Sequence, residues 1–201
     1  MIDEPRIQGV LRLSQLELRS HGRTMTVSPK QEQAMKRLLL ATAALVAMVA
    51  VDVTAASAQN SAAVYQYGYG NTGSFKQHGR WNRGTLRMNG VQNYTRAVQE
   101  GGWNYLYHQQ LGDRNRALTD QLGDNNYAVT GQEGAYNAAA TIQTGRSNTS
   151  GIAQIGTNHS AFTEQTGSNN AAATIQVGNG QHAETHQVGD GNVGVIVQGG
   201  D

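Results

Sequence analysis

Cysteine is absent from the chain, so neither a disulfide framework nor a thiolate metal site is available. Proline occurs only at Pro5 and Pro29, and nothing after them obstructs a β ladder. Large hydrophobes are scarce: there are two Phe, and aromatics make up 6% of the 201 residues. A globular enzyme core needs more of them. Charged residues are 14%, too few for a highly charged disordered chain. Glycine is abundant instead, with 25 residues, alongside Gln, Asn and Ala. This composition leaves a regular structure that is held by backbone pairing and is poor in hydrophobes.

Long apolar runs are equally rare. Leu38 to Val51 is an uncharged and mostly apolar stretch, preceded by Met35-Lys36-Arg37 and followed by Ala56-Ser57-Ala58. A basic cap, an apolar run too short to span a bilayer easily and a small-x-small site predict a secretory signal peptide over 35–58, cleaved after Ala58. Residues 1–34 carry charges of both signs, unlike the short basic cap of a signal, and read as an N-terminal extension with translation starting at Met35 or Met25. Residues 59–65 then form a short mature N-terminus, and 66–201 form a repeat array.

The repeat is Gln-x-Gly-x-x-Asn, recurring every eleven residues without insertion or deletion. Its first position is Gln66, Gln77, Met88, Gln99, Gln110, Gln121, Gln132, Gln143, Gln154, Gln165, Gln176, Gln187 and Gln198. Its glycine is Gly68, Gly79, Gly90, Gly101, Gly112, Gly123, Gly134, Gly145, Gly156, Gly167, Gly178, Gly189 and Gly200. The sixth position is Asn71, Asn82, Asn93, Asn104, Asn115, Asn126, Asn137, Asn148, Asn170 and Asn192, with His159 and Gln181 as exceptions.

An eleven-residue period also suits a right-handed helical coiled coil. Glycine in a helix interior costs roughly 0.8–1 kcal/mol, so thirteen would cost on the order of 10 kcal/mol, as much as a domain's whole stability. The helix is therefore excluded. As turn residues the same glycines are favourable, so each unit reads as a turn of about four residues and a strand of about seven. Alternation from the Asn places Asn, a small residue, a small or β-branched residue and the next Gln on one inner face, as in Asn115-Ala117-Thr119-Gln121. The intervening positions vary and face outward. Two arcs across a thin core make a coil of about 22 residues, with coils about 4.8 Å apart. The expected fold is an all-β solenoid in which Gln and Asn side chains stack as amide ladders, giving a cross-β amyloid on assembly.

Other signals are weaker. Gly68-Tyr69-Gly70-Asn71-Thr72-Gly73 fits a dinucleotide fingerprint, but no helix follows it. His182 and His186 share an outward parity without a third ligand. No catalytic residue, metal site or cofactor is expected, and the chain does not read as an enzyme. Arg80-Trp81, Arg83, Arg87, Tyr94, Arg96 and Trp103 interleave basic and aromatic groups as single-strand nucleic-acid binders do. The alternative reading is thus a surface-attached solenoid that binds nucleic acid, ice or another extended ligand. An ice-binding array should be regular and outward, whereas the regular series Thr119, Thr130, Thr141, Thr163, Thr174 and Thr185 is placed inward by its parity. Charge is asymmetric: from Gln59 to Arg116 seven basic residues face two acids, a net of +5, and from Ala117 to Asp201 one Arg faces seven acids, a net of −6. Opposite ends would attract head to tail.

The unit Gln-x-Gly-x-x-Asn, followed by Ala and closed by another Gln, resembles the curlin repeat of bacterial curli, the secreted amyloid fibres of biofilm matrix. The resemblance covers Gln66 to Asp201, with a degenerate unit at Met88. It implies an extracellular, cell-surface fibre subunit that polymerises with itself. It also implies a sister curlin subunit as nucleator or fibre partner, and an outer-membrane secretion pore with accessory factors. Nucleic acid is not required.

Overall fold

The computed structural model describes residues 59–200 together with Arg19–Ser20 and Arg23–Thr24. Strands β1 (Arg19–Ser20) and β2 (Arg23–Thr24) pair antiparallel within their own unit of the chain. The expected signal segment 35–58, the rest of the extension 1–34 and Asp201 lie outside the described residues.

From Ser61 onward every segment is a strand. In chain order these are β3 (Ser61–Tyr69), β4 (Thr72–Arg80), β5 (Arg83–Val91), β6 (Tyr94–Gly102) and β7 (Tyr105–Asp113). There follow β8 (Arg116–Asp124), β9 (Tyr127–Ala135), β10 (Ala138–Arg146), β11 (Thr149–Thr157) and β12 (Ser160–Ser168). The last are β13 (Ala171–Asn179), β14 (His182–Asp190) and β15 (Val193–Gly200). Even-numbered strands from β4 to β14 form a six-stranded parallel sheet, and odd-numbered strands from β3 to β15 a seven-stranded one. Each residue pairs with the one 22 positions on, as Gln99 does with Gln121 and Gln110 with Gln132. The molecule is a β-solenoid with 22 residues per coil.

Side chains alternate as the sequence parity requires. In β8, Ala117, Thr119 and Gln121 are buried, while Arg116 and Leu122 are exposed. The Thr series is inside, as that parity requires, so the outer walls lack the regular hydroxyl array an ice-binding surface needs. Strands β3 to β14 are nine residues rather than seven, and only two residues separate consecutive strands of the solenoid. The extra length is the corner itself. Bonds between coils run along the stacking axis, so the ladder continues through the bend and takes in the repeat glycine. The solenoid also starts at Ser61, within the segment expected to precede it.

Two features explain the invariant glycine. From Gly68 to Gly189 it has φ between 105° and 129°, a region that disfavours any Cβ. It also lies against the coil above: a Cβ on Gly123 would sit 2.0 Å from the carbonyl oxygen of Gly145, and the glycines from Gly68 to Gly178 meet the same obstacle. The residue just before each Asn is left-handed too, whether Gly70 (φ 69°) or Trp103 (φ 59°). These two positions together turn the chain through each corner.

The core changes character along the stack. Phe75, Leu86, Met88, Ala97 and Leu106 form an apolar cluster in the early coils. Gly84 makes room for it, since a Cβ there would be 1.9 Å from the Phe75 ring. Later coils replace this plug with Ala, Thr and amides, together with the small cluster Ala139, Ile152 and Ala161.

Gly123→Ala is expected to destabilise the solenoid by about 2–3 kcal/mol, because it combines backbone strain with a clash against another backbone. Gly151→Ala adds a Cβ with nothing within 4 Å and should change stability by less than about 0.5 kcal/mol. Chemical denaturation of the two variants checks the contrast.

Candidate functional site

The inner face carries two glutamine columns. In the six-stranded sheet Gln77, Gln99, Gln121, Gln143, Gln165 and Gln187 are joined in series, each Nε2 donating to the Oε1 of the next at 2.8–2.9 Å. In the seven-stranded sheet Gln110, Gln132, Gln154, Gln176 and Gln198 do the same at 2.8–2.9 Å. The second hydrogen of each Nε2 crosses the core to a backbone carbonyl sixteen residues earlier, as Gln121 donates to Tyr105 at 3.0 Å. Most of these side chains are fully buried. Both amide hydrogens are thus used, one along the axis and one across it.

Gln66 departs from the ladder role expected of it. Its neighbour on the next coil is Met88, which offers no amide, so Gln66 is exposed and donates to the Asn71 carbonyl at 3.2 Å. Met88 breaks the column and joins the apolar plug.

The asparagines are arranged differently from the glutamines. Each Oδ1 accepts the backbone N–H of the equivalent residue one coil on, as Asn93 accepts from Asn115 at 3.0 Å. Each Nδ2 donates across the corner to a repeat glycine's carbonyl, as Asn104 does to Gly123 at 2.8 Å. Asn71, Asn82, Asn115, Asn126, Asn137, Asn148 and Asn170 repeat the glycine contact at 2.8–3.1 Å. Among the described residues of this column, direct amide-to-amide bonds are donated by Asn93, Asn104, Asn170 and Asn192 only, at 3.0–3.1 Å. The asparagine column is therefore chiefly a corner clamp rather than an amide ladder.

Three further residues belong to this network. Asn60 lies one period before Asn71, and its Oδ1 accepts from Asn82 N–H at 3.0 Å. Counting the period backward reaches it, although no Gln-x-Gly precedes it. His159 keeps the acceptor half of the Asn role: its Nδ1 accepts from Gln181 N–H at 3.2 Å, which leaves Nε2–H to donate to the Ile155 carbonyl at 3.1 Å instead of to a repeat glycine. Gln181 keeps the clamp by donating from Nε2 to Gly200 at 2.8 Å.

Outside the core, the basic and aromatic residues do not form one surface. Arg83 and Arg87 lie on β5, while Tyr94 and Arg96 lie on β6 in the other sheet. Arg96 pairs with Asp120 at 2.7 Å, and Trp81 stacks on Trp103 with ring centres 5.1 Å apart. His182 and His186 face outward beside Glu184 and Glu164 at 3.1–3.8 Å. Among the described residues no group of three His, Cys, Asp or Glu is placed to hold a metal ion.

The stretch from Gly123 to Gly156 holds three periods of this network. Residues 123–156 match the family model of the curlin associated repeat. Those residues carry a curlin associated repeat, and the same eleven-residue unit recurs on either side of them. No curated protein and no solved structure matches it. In this repeat the three signature positions of the motif divide the work between them. Gln joins coils through the core, Gly permits the close corner, and Asn ties that corner to its neighbours.

His108 is drawn fully into the core between the columns. It touches Thr119 Oγ1 at 2.7 Å through Nε2, and its Nδ1 has no partner. Burial lowers its pKa from 6.5 to about 3. The unfolded chain therefore binds a proton below about pH 6.5 that the folded chain refuses. His108 lets the fold keep its full stability above about 6.5, and stability should fall on the order of 1 kcal/mol per pH unit as pH drops toward 3. His108→Thr supplies the residue found at Thr130 and Thr174 in the same column and should remove that share of the slope in pH-dependent denaturation.

Proposed function

We propose that this chain is a secreted structural subunit, not an enzyme, which adds end to end to copies of itself as a curli-type amyloid fibre for adhesion and biofilm matrix. The observation that carries this reading is the state of the solenoid's ends. Among the described residues the sheets end in β14 and β15 on one side and in β3 and β4 on the other. Such strand edges template further strands.

The amide columns are polar in the same sense. Gln187 and Gln198 each donate one Nε2 hydrogen to a carbonyl across the core, and among the described residues no glutamine amide receives the other. At the opposite end, among the described residues, no donor reaches the Oε1 of Gln77. A donor-rich face thus meets an acceptor face when one copy stacks on the next. The charge asymmetry of the sequence, positive before Ala117 and negative after it, favours the same head-to-tail order.

A mostly amide core supports polymer over free monomer. Each hydrogen bond contributes about 0.5–1.5 kcal/mol net, and the apolar area buried in later coils is small. Each added copy extends both sheets and both columns. The curlin repeat supports an extracellular fibre, with a secretion pore and a sister curlin subunit as the partners that such a route needs.

Incubation of purified protein lacking residues 1–58 should give fibres whose diffraction has a meridional reflection near 4.8 Å, and preformed fibres should shorten the lag of fresh protein. A product that stays monomeric at high concentration, or fibres without that reflection, would contradict the proposal.

A further inference from the structure

We propose that the corner following the six-stranded sheet carries a binding groove for a neutral polysaccharide, seated on the stacked indoles of Trp81 and Trp103. This goes beyond self-assembly and does not rest on it, because the corner runs along the side of the stack and leaves the end faces untouched.

Backbone conformation is the first reason to look there. Every corner needs a left-handed residue just before the Asn position, and several later coils meet this with Asn125, Asn158, Asn169, Gly180 and Gly191. Glycine and asparagine adopt that region readily, whereas a bulky residue there costs about 1–2 kcal/mol. Trp81 and Trp103 hold φ of 61° and 59° despite that cost, as Gln92, Arg114 and Tyr136 do at other corners, and of these the two tryptophans are the largest. Strained backbone at a surface position that presents a large side chain points to a use for the side chain.

The second reason is the shape of the groove. It has a volume of about 800 Å³, and its lining runs from Trp103 to the short Asn125 and Ser147 on the following coils. Trp81 covers one face of the Trp103 ring, with an interplanar angle of 11°. Trp103 is nevertheless 62% exposed, against 42% for Trp81. Gly102, lacking a side chain, keeps the groove open between Arg80 and Asp124.

The third reason is the polar wall. Asp124 Oδ1 accepts from Gly102 N–H at 2.9 Å, which holds the carboxylate in place, and its Oδ2 lies 4.0 Å from Arg146. Asn125 Nδ2 donates to Ser147 Oγ at 3.1 Å. An aromatic platform beside fixed carboxylate, amide, hydroxyl and guanidinium groups suits a ring with one apolar C–H face and a rim of hydroxyls. The weakly positive C–H groups meet the negative face of the indole, and the rim is read by the polar side chains.

A single-stranded nucleic acid would also stack on tryptophan, but it needs a basic track for its phosphates. The column beside the tryptophans runs Arg80, Gly102, Asp124, Arg146, Ser168 and Asp190, with two positive and two negative charges. A polyanion gains nothing net along the whole column, and within the groove Asp124 opposes it. The arrangement favours an uncharged chain.

The protein has two tryptophans, both in the groove, so tryptophan fluorescence, excited at the red edge where tyrosine does not absorb, reports on this site alone. Titration of the wild-type protein with cellohexaose and with maltohexaose should give a saturable shift of the emission maximum with at least one of them. A thymidine oligonucleotide should give none. Trp103→Asn installs the residue that Asn125 and Asn169 place in the same corner column, so the fold is retained. It should weaken saccharide binding more than tenfold by calorimetry while leaving the thermal midpoint and fibre growth as in the wild type. No saccharide-dependent shift, undiminished binding by Trp103→Asn, or a saturable response to the oligonucleotide in place of the saccharides would each overturn the proposal.

Discussion

The hydrogen bond from one glutamine amide to the glutamine 22 residues later is the interaction on which the rest of the solenoid depends. A coil whose core is two strands thick buries little apolar surface, and most inward side chains in the later coils are Ala, Thr, Asn and Gln. Amides buried without partners would cost more than the fold could recover. In register, each finds its partner in the identical amide above and below. The requirement also works in reverse, because a slip of one residue would turn every amide outward. The ladder therefore sets the register as well as supplying cohesion.

The corner imposes a second, geometric constraint. The Gly145 carbonyl occupies the space a Cβ on Gly123 would need, and the clamp from Asn104 Nδ2 ends on the Gly123 carbonyl itself. Glycine and asparagine are thus matched parts of one joint between coils. His159 shows what the joint demands: a ring nitrogen that accepts where Oδ1 does, and a second that donates to a carbonyl. Where the glutamine column is interrupted at Met88, the core turns apolar instead. Phe75, Leu86, Met88 and Leu106 then supply by burial what the amides supply elsewhere, and the early coils become the most conventionally packed part of the molecule.

Much of the fold was legible because an eleven-residue period maps one to one onto arcs, and the parity within each arc separates inside from outside. The 22-residue coil and the buried Thr series follow from those two facts. What the pattern did not reveal depends on contacts between units. Strand length was underestimated because pairing through the corner is a property of the stack and not of one arc. Gln66 fits the motif perfectly, and only the identity of Met88 one coil away removes its ladder partner. Asn and Gln look alike in the repeat, yet the shorter arm of Asn reaches a corner carbonyl while that of Gln reaches the next amide. The basic and aromatic residues looked like one surface in the sequence, but consecutive arcs belong to opposite sheets, which scatters Arg83 and Arg87 away from Tyr94 and Arg96.

The central claim is that like amides stack within one molecule at a spacing of 22 residues. Solid-state NMR on fibres grown from a mixture of molecules labelled separately with nitrogen-15 and carbon-13, and on fibres of doubly labelled protein diluted in unlabelled protein, tests it most directly. The account predicts contacts between the side-chain amide of Gln99 and that of Gln121 in the diluted sample, and no contact of Gln121 with Gln121 of another copy in the mixed sample. Contacts between identical residues of different copies would instead mean an in-register stack of extended chains and would contradict the solenoid ladder.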